Sequence, residues 1–165
     1  MRTVAIGTLA IIILTALMAV SPVRAENPTW STDVRIDGIF GGDSNGRIQE
    51  ITEMLKAADQ KILDLKILAR NGYGKILHAQ ILHTSILPLN DAVLAEAKAL
   101  RVTIDGIWGG NSARAIASQV ATLKSAEQVI IRVEATSYNG YGKILAANVY
   151  YLSKFKYDAL IAINH

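Results

Sequence analysis

The sequence of 165 residues contains no cysteine. Disulfide bonds are therefore excluded, and hydrophobic packing has to supply the stability of the fold. The same absence excludes export lipidation through a cysteine at a cleavage site. It also excludes enzymes with a thiol nucleophile, among them the cysteine peptidases and transpeptidases that act on cell walls.

The chain also lacks a large excess of charge of one sign. It contains 17 Lys and Arg against 14 Asp and Glu, but Arg2 and Arg24 lie in a leader-like segment. Without these two residues, 15 basic residues face 14 acidic ones, a net charge of +1. No block of Lys or Arg supplies the basic surface that nucleic-acid binding requires. We therefore expect no nucleic-acid partner.

The first 25 residues are typical of a cleaved secretory signal peptide. Arg2 supplies the positive start, an apolar run extends over residues 4–20, and Pro22 breaks it before the small-residue cleavage pattern Val23-Arg24-Ala25. The alternative is an uncleaved membrane anchor, because the length of the run just reaches the lower limit for a helix that spans a membrane. The sequence predicts export to the bacterial periplasm or the extracellular space, with membrane contact only if the leader is retained.

The rest of the chain is a tandem duplication in which residue i matches residue i+68. One retained block pairs residues 36–44 (IDGIFGGDS) with residues 104–112 (IDGIWGGNS), and a second pairs residues 71–77 with residues 139–145 (NGYGKIL in both). Two blocks at one offset without a gap are not produced by chance. The sequence thus predicts two units, 26–88 and 89–165, after a signal peptide at 1–25.

We expect each unit to be helical and the fold class to be all-α. Asp43 or Ser44 in the first unit, and Asn111 or Ser112 in the second, are good N-cap residues for helices over 45–57 and 113–124. Second helices are expected to follow, the one in the second unit from the capping-box spacing of Ser125 and Gln128.

Further helices are expected from Tyr73 and Tyr141 onward, after the Asn-Gly pairs, and over residues 89–100. A match between residues 91–95 and 158–162 suggests how the halves close. It predicts that a helix over 157–164 packs beside the first Asp-Gly loop, as the helix over 90–100 packs beside the second. The halves would then form one pseudo-two-fold domain.

The Asp-Gly loop resembles a known family. Asp105-Gly106-Ile107-Trp108-Gly109, with Ser112 and Ala115-Ile116 after it, resembles the Asp-Gly-Ile-aromatic-Gly core of small helical peptidoglycan-binding domains. Farther on, Arg132 and Tyr138 or Tyr141 are similar to the Arg and the aromatic residue of the variant found C-terminal to phage-type N-acetylmuramidases. The first copy departs from the pattern at Gly46-Arg47, and both copies have Gly where the family prefers Pro. The resemblance implies a helical fold and a glycan or stem-peptide partner.

Turn chemistry and core anchoring explain the loop residues, which we interpret as mainly structural. They are Asp37, Gly38, Phe40, Gly41, Asp105, Gly106, Trp108 and Gly109. The Asn-Gly-Tyr-Gly-Lys block is the candidate ligand site, because its Tyr can stack on a sugar and its Lys can contact a carboxylate. The alternative is a turn whose Tyr packs and whose Lys is solvated. The ligand-binding candidates are Asn71, Tyr73, Lys75, Asn139, Tyr141 and Lys143.

The sequence predicts no catalytic residues, no metal and no cofactor. A muramidase needs a carboxylic acid, usually with a second carboxylate, and the Glu-Gly-Gly-Tyr-like segment of the muramidase family is missing from residues 26–34. His78 and His83 would lie about 140° apart on a helix, so they would not share a zinc ion.

We therefore expect an exported cell-envelope protein that binds peptidoglycan without catalysis. Two alternatives remain open. One is a secreted muramidase-like hydrolase or its remnant, and the other is a periplasmic protein-interaction module.

Overall fold

The protein is a mixed α/β structure. The computed structural model describes residues 26–36, 43–104 and 111–163. Unit one consists of strand β1 (Thr29–Arg35), helix α1 (Ser44–Ala57) and strands β2 (Gln60–Arg70) and β3 (Ile76–Ser85). Unit two repeats this order with strand β4 (Lys98–Thr103), helix α3 (Ser112–Ser125) and strands β5 (Gln128–Tyr138) and β6 (Ile144–Ser153). Helix α2 (Asp91–Glu96) precedes β4, and helix α4 (Lys154–Ala162) follows β6.

The all-α prediction is wrong, because each unit contains a three-stranded antiparallel sheet. The strand orders are β1-β3-β2 and β4-β6-β5, so the last strand of each unit lies in the centre of its sheet. Both hairpins have irregular pairing at equivalent positions, between Ile62 and Asp64 in β2 and between Ile130 and Arg132 in β5. The repeat of period 68 is thus visible in the topology and in the strand irregularities.

The long helix expected in each unit is present, at nearly the expected residues. Asp43 caps α1 by accepting a hydrogen bond from the N–H of Gly46, and Asn111 caps α3 through the N–H of Arg114, both at 3.0 Å. A left-handed residue stands two positions after the end of each helix, Asp59 with φ 57° after α1 and Glu127 with φ 54° after α3. This conformation reverses the chain into the strand that follows.

The second and third helices expected in each unit are strands. Residues 60–70 and 128–138, together with 76–85 and 144–153, form the β2-β3 and β5-β6 hairpins. Short apolar runs do not distinguish a buried helix from a strand, and these runs are rich in Ile and Val. Asn-Gly between two such runs is a strong hairpin signal. Ser125 starts no helix, because it is the last residue of α3 and its hydroxyl donates to the carbonyl of Ala121.

The expected helix over residues 89–100 is also divided. Residues Asp91–Glu96 form α2, after Asn90 accepts a hydrogen bond from the N–H of Val93, but Lys98–Thr103 pair with β6 as strand β4. The expected C-terminal helix over 157–164 is α4 and begins earlier, at Lys154. It contacts α2, β5 and β6. The first Asp-Gly loop, beside which we expected it, lies outside the described residues.

The two units share one core between their helices and sheets. Helices α1 and α3 contact each other, and buried side chains of both units form one apolar cluster that includes Val34, Leu55, Ile116 and Val133. A second cluster joins α2 and α4 to unit two, through Val93, Ile131, Leu152 and Tyr157. The short helices therefore cover unit two and leave the equivalent surface of unit one uncovered.

Among the residues described, no helix has the length and the apolar character that crossing a membrane requires.

Candidate functional site

The Asp-Gly loops link the first strand of each unit to its long helix. Their predicted structural residues all lie outside the described residues: Asp37, Gly38, Phe40, Gly41, Asp105, Gly106, Trp108 and Gly109. The residue before each loop is fixed, however. The N–H of Ile36 donates to the carbonyl of Leu77, and that of Ile104 to the carbonyl of Leu145, both at 2.9 Å. The loops therefore start beside the hairpins that carry the second retained block.

The retained Asn-Gly-Tyr-Gly-Lys blocks are the hairpin turns, residues 71–75 (turn 1) and 139–143 (turn 2). In turn 1 the N–H of Asn71 donates to the carbonyl of Lys75 at 2.9 Å, which closes a three-residue loop. The side-chain oxygen of Asn71 accepts from the N–H groups of Tyr73 and Lys75. Gly74 has φ 77°, the left-handed conformation that ends such loops.

Turn 2 has the same internal geometry. The side-chain oxygen of Asn139 accepts from the N–H groups of Tyr141 and Lys143, and Gly142 has φ 75°. Local turn structure thus explains why Asn and the second Gly occur in both copies. It does not require Tyr or Lys at their positions.

The surroundings of the two turns differ. Tyr73 is 81% exposed, and a Cβ added at Gly74 would have no neighbour within 4 Å. Turn 2 instead lies against β1, and a Cβ added at Gly142 would lie 2.4 Å from the carbonyl oxygen of Arg35. Tyr141 is accordingly less exposed, at 39%. Turn 1 is therefore open to a ligand, whereas turn 2 is part of the contact between the units.

A cleft of about 260 Å³ lies between turn 1 and the start of α1. Its lining includes Asp43, Asn45, Arg70 and Lys75, so it joins the end of the first retained block to the second. The hydroxyl of Ser44 donates to the carbonyl of Ile76 at 2.9 Å and ties the helix to the hairpin.

The charges around this cleft favour an anionic group. Arg70 is exposed and donates to the carbonyl of Gly74 at 2.7 Å, which holds its guanidinium beside the turn. Lys75 is also exposed. The carboxylate of Asp43 is engaged by the N–H of Gly46 as a helix cap. The cleft thus presents two cations beside a single, already bonded carboxylate among its described lining residues.

Sequence reasoning missed a buried polar network that crosses the unit boundary. His83 is fully buried, and its Nε2 is 3.1 Å from the hydroxyl of Thr32 while its Nδ1 is 3.2 Å from the side-chain oxygen of Gln60. The amide nitrogen of Gln60 donates to the carbonyl of Ile131 in the other unit at 3.1 Å. Burial, aided by the charge of Arg132, lowers the pKa of His83 to about 4. The counterpart of His83 is Tyr151, so the duplication gave no signal for this residue.

Arg132 and Tyr138, two residues of the family resemblance, contribute to the contact between the units. The guanidinium of Arg132 lies 4.1 Å from the ring centre of Tyr150 and 5.8 Å from that of Trp30 in β1. The hydroxyl of Tyr138 donates to the carbonyl of Asp33 at 3.0 Å, and burial raises the pKa of this tyrosine to about 12. Both side chains therefore have structural partners in unit one.

The histidines of β3 do not form a metal site. Because they lie five residues apart on a strand and not on a helix, they point to opposite sides: His83 into the core, and His78 toward Asp33. Within residues 26–36, 43–104 and 111–163, no group of three His, Cys, Asp or Glu side chains is arranged to hold a metal ion.

No protein-family model matches the chain, and no curated protein or solved structure shows significant similarity to it.

Proposed function

We propose that the chain is an exported protein that binds peptidoglycan without catalysis, through turn 1 and its adjacent cleft. The observation that carries the proposal is the exposed Tyr73 beside two cations, Arg70 and Lys75, where the two retained sequence blocks meet. The leader-like sequence of residues 1–25 and the resemblance of the Asp-Gly loop support a cell-envelope ligand. The mixed α/β fold is not the helical fold that this resemblance implied, so the proposal depends on the site and not on the fold.

The chemistry of the site suits the two kinds of group that peptidoglycan presents. An exposed tyrosine ring can pack on a sugar face, and its hydroxyl can form a hydrogen bond at the edge of the contact. Arg70 and Lys75 can pair with the carboxylate of a stem peptide. Turn 2 contributes indirectly, because its packing on β1 supports the assembly of the two units.

The described cleft lacks the arrangement that a muramidase needs. Glycoside hydrolysis uses two carboxyl groups across the scissile bond, but Asp43 is the one carboxylate among the described residues that line the cleft. This favours binding over hydrolysis at this site.

Co-sedimentation with purified sacculi tests the proposal. The protein for this assay is expressed with its leader and purified from the exported fraction. We expect the wild-type chain to sediment at moderate salt, and Tyr73→Ala and Lys75→Ala each to weaken binding about fivefold or more, a loss of about 1 kcal/mol. Tyr141→Ala is the matched control, since the same residue in turn 2 should leave the affinity unchanged.

The other outcomes refute the proposal in different ways. A wild-type chain that stays in the supernatant would favour the protein-interaction module. Release of soluble muropeptides would favour the hydrolase. Equal losses for Tyr73→Ala and Tyr141→Ala would show that turn 1 is not the specific site, and unchanged affinity in both variants would assign binding to a different surface.

A further inference from the structure

Strand β2 is an exposed apolar edge. It is the outer strand of its sheet, and no described strand pairs with its free side. Three of its leucines are exposed: Leu63 at 47%, Leu65 at 41% and Leu68 at 51%. A long edge strand with exposed apolar side chains is a ready template for pairing with another chain.

A comparison with unit two shows that the equivalent positions of a β-strand in this fold can be buried. The equivalents of Leu63 and Leu65 in unit two are Ile131 and Val133, which are 1% and 2% exposed. Ile131 is covered by residues of α2 and α4, and Val133 belongs to the core that the units share. The same two positions are therefore buried where a neighbour exists and exposed where none does.

The charges on β2 indicate a second copy of the chain as the neighbour. If two copies of β2 pair antiparallel with Leu65 opposite Leu65, Asp64 of each copy lies opposite Lys66 of the other. Opposite charges at facing positions stabilise strand pairing. Leu63 then faces Ile67, and Ile62 faces Leu68, so no like charges meet along the strand.

The neighbouring registers are less favourable. A shift that centres the pairing on Asp64 or on Lys66 places two identical charges opposite each other, which destabilises the pair. A shift of the pairing by one residue places side chains from opposite faces of the two sheets at facing positions. The residues at the centre, 64–67, pair with β3 without irregularity, so this part of the strand is regular enough to accept a partner.

Strand β5 is a poorer partner for β2, although Arg132 and Glu134 stand at the positions equivalent to Asp64 and Lys66. Glu134 lies 3.4 Å from Arg132 and accepts a hydrogen bond from Tyr150, and Arg132 stacks on Tyr150. These charges are already engaged within the chain.

We infer that the chain forms a two-fold symmetric dimer through antiparallel β2–β2 pairing centred on Leu65, with reciprocal Asp64–Lys66 contacts. The two three-stranded sheets become one six-stranded sheet, which removes the exposed edge. The pairing leaves turn 1 of each copy at opposite ends of this sheet, free for ligand. The inference does not depend on the proposed function, because the dimer forms without a ligand.

The test is light scattering coupled to size-exclusion chromatography, together with sedimentation equilibrium, on the exported chain and its charge variants. We expect the wild-type chain to have the mass of a dimer. Asp64→Lys and Lys66→Asp each place like charges opposite each other in the two symmetry-related contacts between positions 64 and 66. Each substitution should raise the dissociation constant of the dimer about tenfold or more. Mixing the two variants places each new charge opposite its complement and should restore a heterodimer. Lys98→Asp, a matched change on the edge strand β4, should leave the dimer intact.

Each other result would overturn the inference. A wild-type chain that is monomeric over the whole concentration range excludes the dimer. A dimer that both single variants retain uses another surface, and variants that fail to associate when mixed exclude this register. Since residues 64 and 66 lie on the exposed strand, an unchanged circular dichroism spectrum verifies that each variant is folded.

Discussion

The neutral, buried His83 makes the stability of the fold sensitive to mild acid. Its ring connects Thr32 to Gln60, and the amide of Gln60 reaches across to unit two, so protonation disturbs the link between the units. The pKa of His83 falls from the ordinary 6.5 to about 4 on folding, because burial and, second, the charge of Arg132 disfavour the imidazolium ion. Between these two values the unfolded chain binds a proton that the folded chain does not. The contribution of this residue to the free energy of unfolding is therefore fully present above pH 6.5 and is lost as the pH falls toward 4.

The size of the effect follows from the same two pKa values. At pH 5 the unfolded state gains about 2 kcal/mol from protonation of this histidine, whereas at pH 7 the gain is about 0.2 kcal/mol. We therefore expect the free energy of unfolding to fall by about 2 kcal/mol between pH 7 and pH 5 because of His83 alone.

Urea denaturation at several pH values measures this loss, with His83→Gln as the comparison. Glutamine keeps a donor and an acceptor but does not titrate, so the variant should be less stable at pH 7 and should lack the His83 share of the acid dependence. The other ionisable groups are the same in both proteins, so their contributions cancel in the difference. If the two proteins lose the same free energy between pH 7 and pH 5, His83 is not a buried neutral group and the network is wrong.

Two further predictions concern backbone conformation. Glu127 is exposed and left-handed, so Glu127→Gly should raise the free energy of unfolding by up to about 1 kcal/mol while Glu127→Ala should not, as urea denaturation would show. Gly74→Ala should lower the free energy of unfolding by about 1 kcal/mol, because the backbone of residue 74 is left-handed. Gly142→Ala should cost about 1 to 3 kcal/mol more, because its Cβ would meet the carbonyl of Arg35. Equal thermal shifts for the two alanine variants would show that turn 2 does not pack against β1.

The local signals in the sequence were correct where a side chain bonds to the nearby backbone. Of the two candidate caps in each unit, Asp43 and Asn111 cap helices that begin at the following residue. The strands were misread because Ile62, Leu65 and Ile67 fit either a helical face or a strand. The distinction comes from pairing with a distant strand, and a local pattern does not contain that information.

The difference in exposure between the two turns could not be predicted from the sequence either. Residues 71–77 and 139–145 are identical, so every local argument gives them the same role. Only the packing of turn 2 on β1, more than 100 residues earlier in the chain, separates the structural copy from the exposed one. The closeness of the start of α1 to turn 1 likewise required the fold, although both blocks were recognised as retained.

Ligand binding at turn 1 is tested most directly by amide chemical-shift changes on titration with soluble muropeptides. Uniformly ¹⁵N-labelled chain should show saturable shifts at Asn45, Arg70, Gly74 and Lys75, with turn 2 and the centre of β2 unchanged. An absence of shifts, or shifts confined to residues 139–143 or 63–67, would contradict the account.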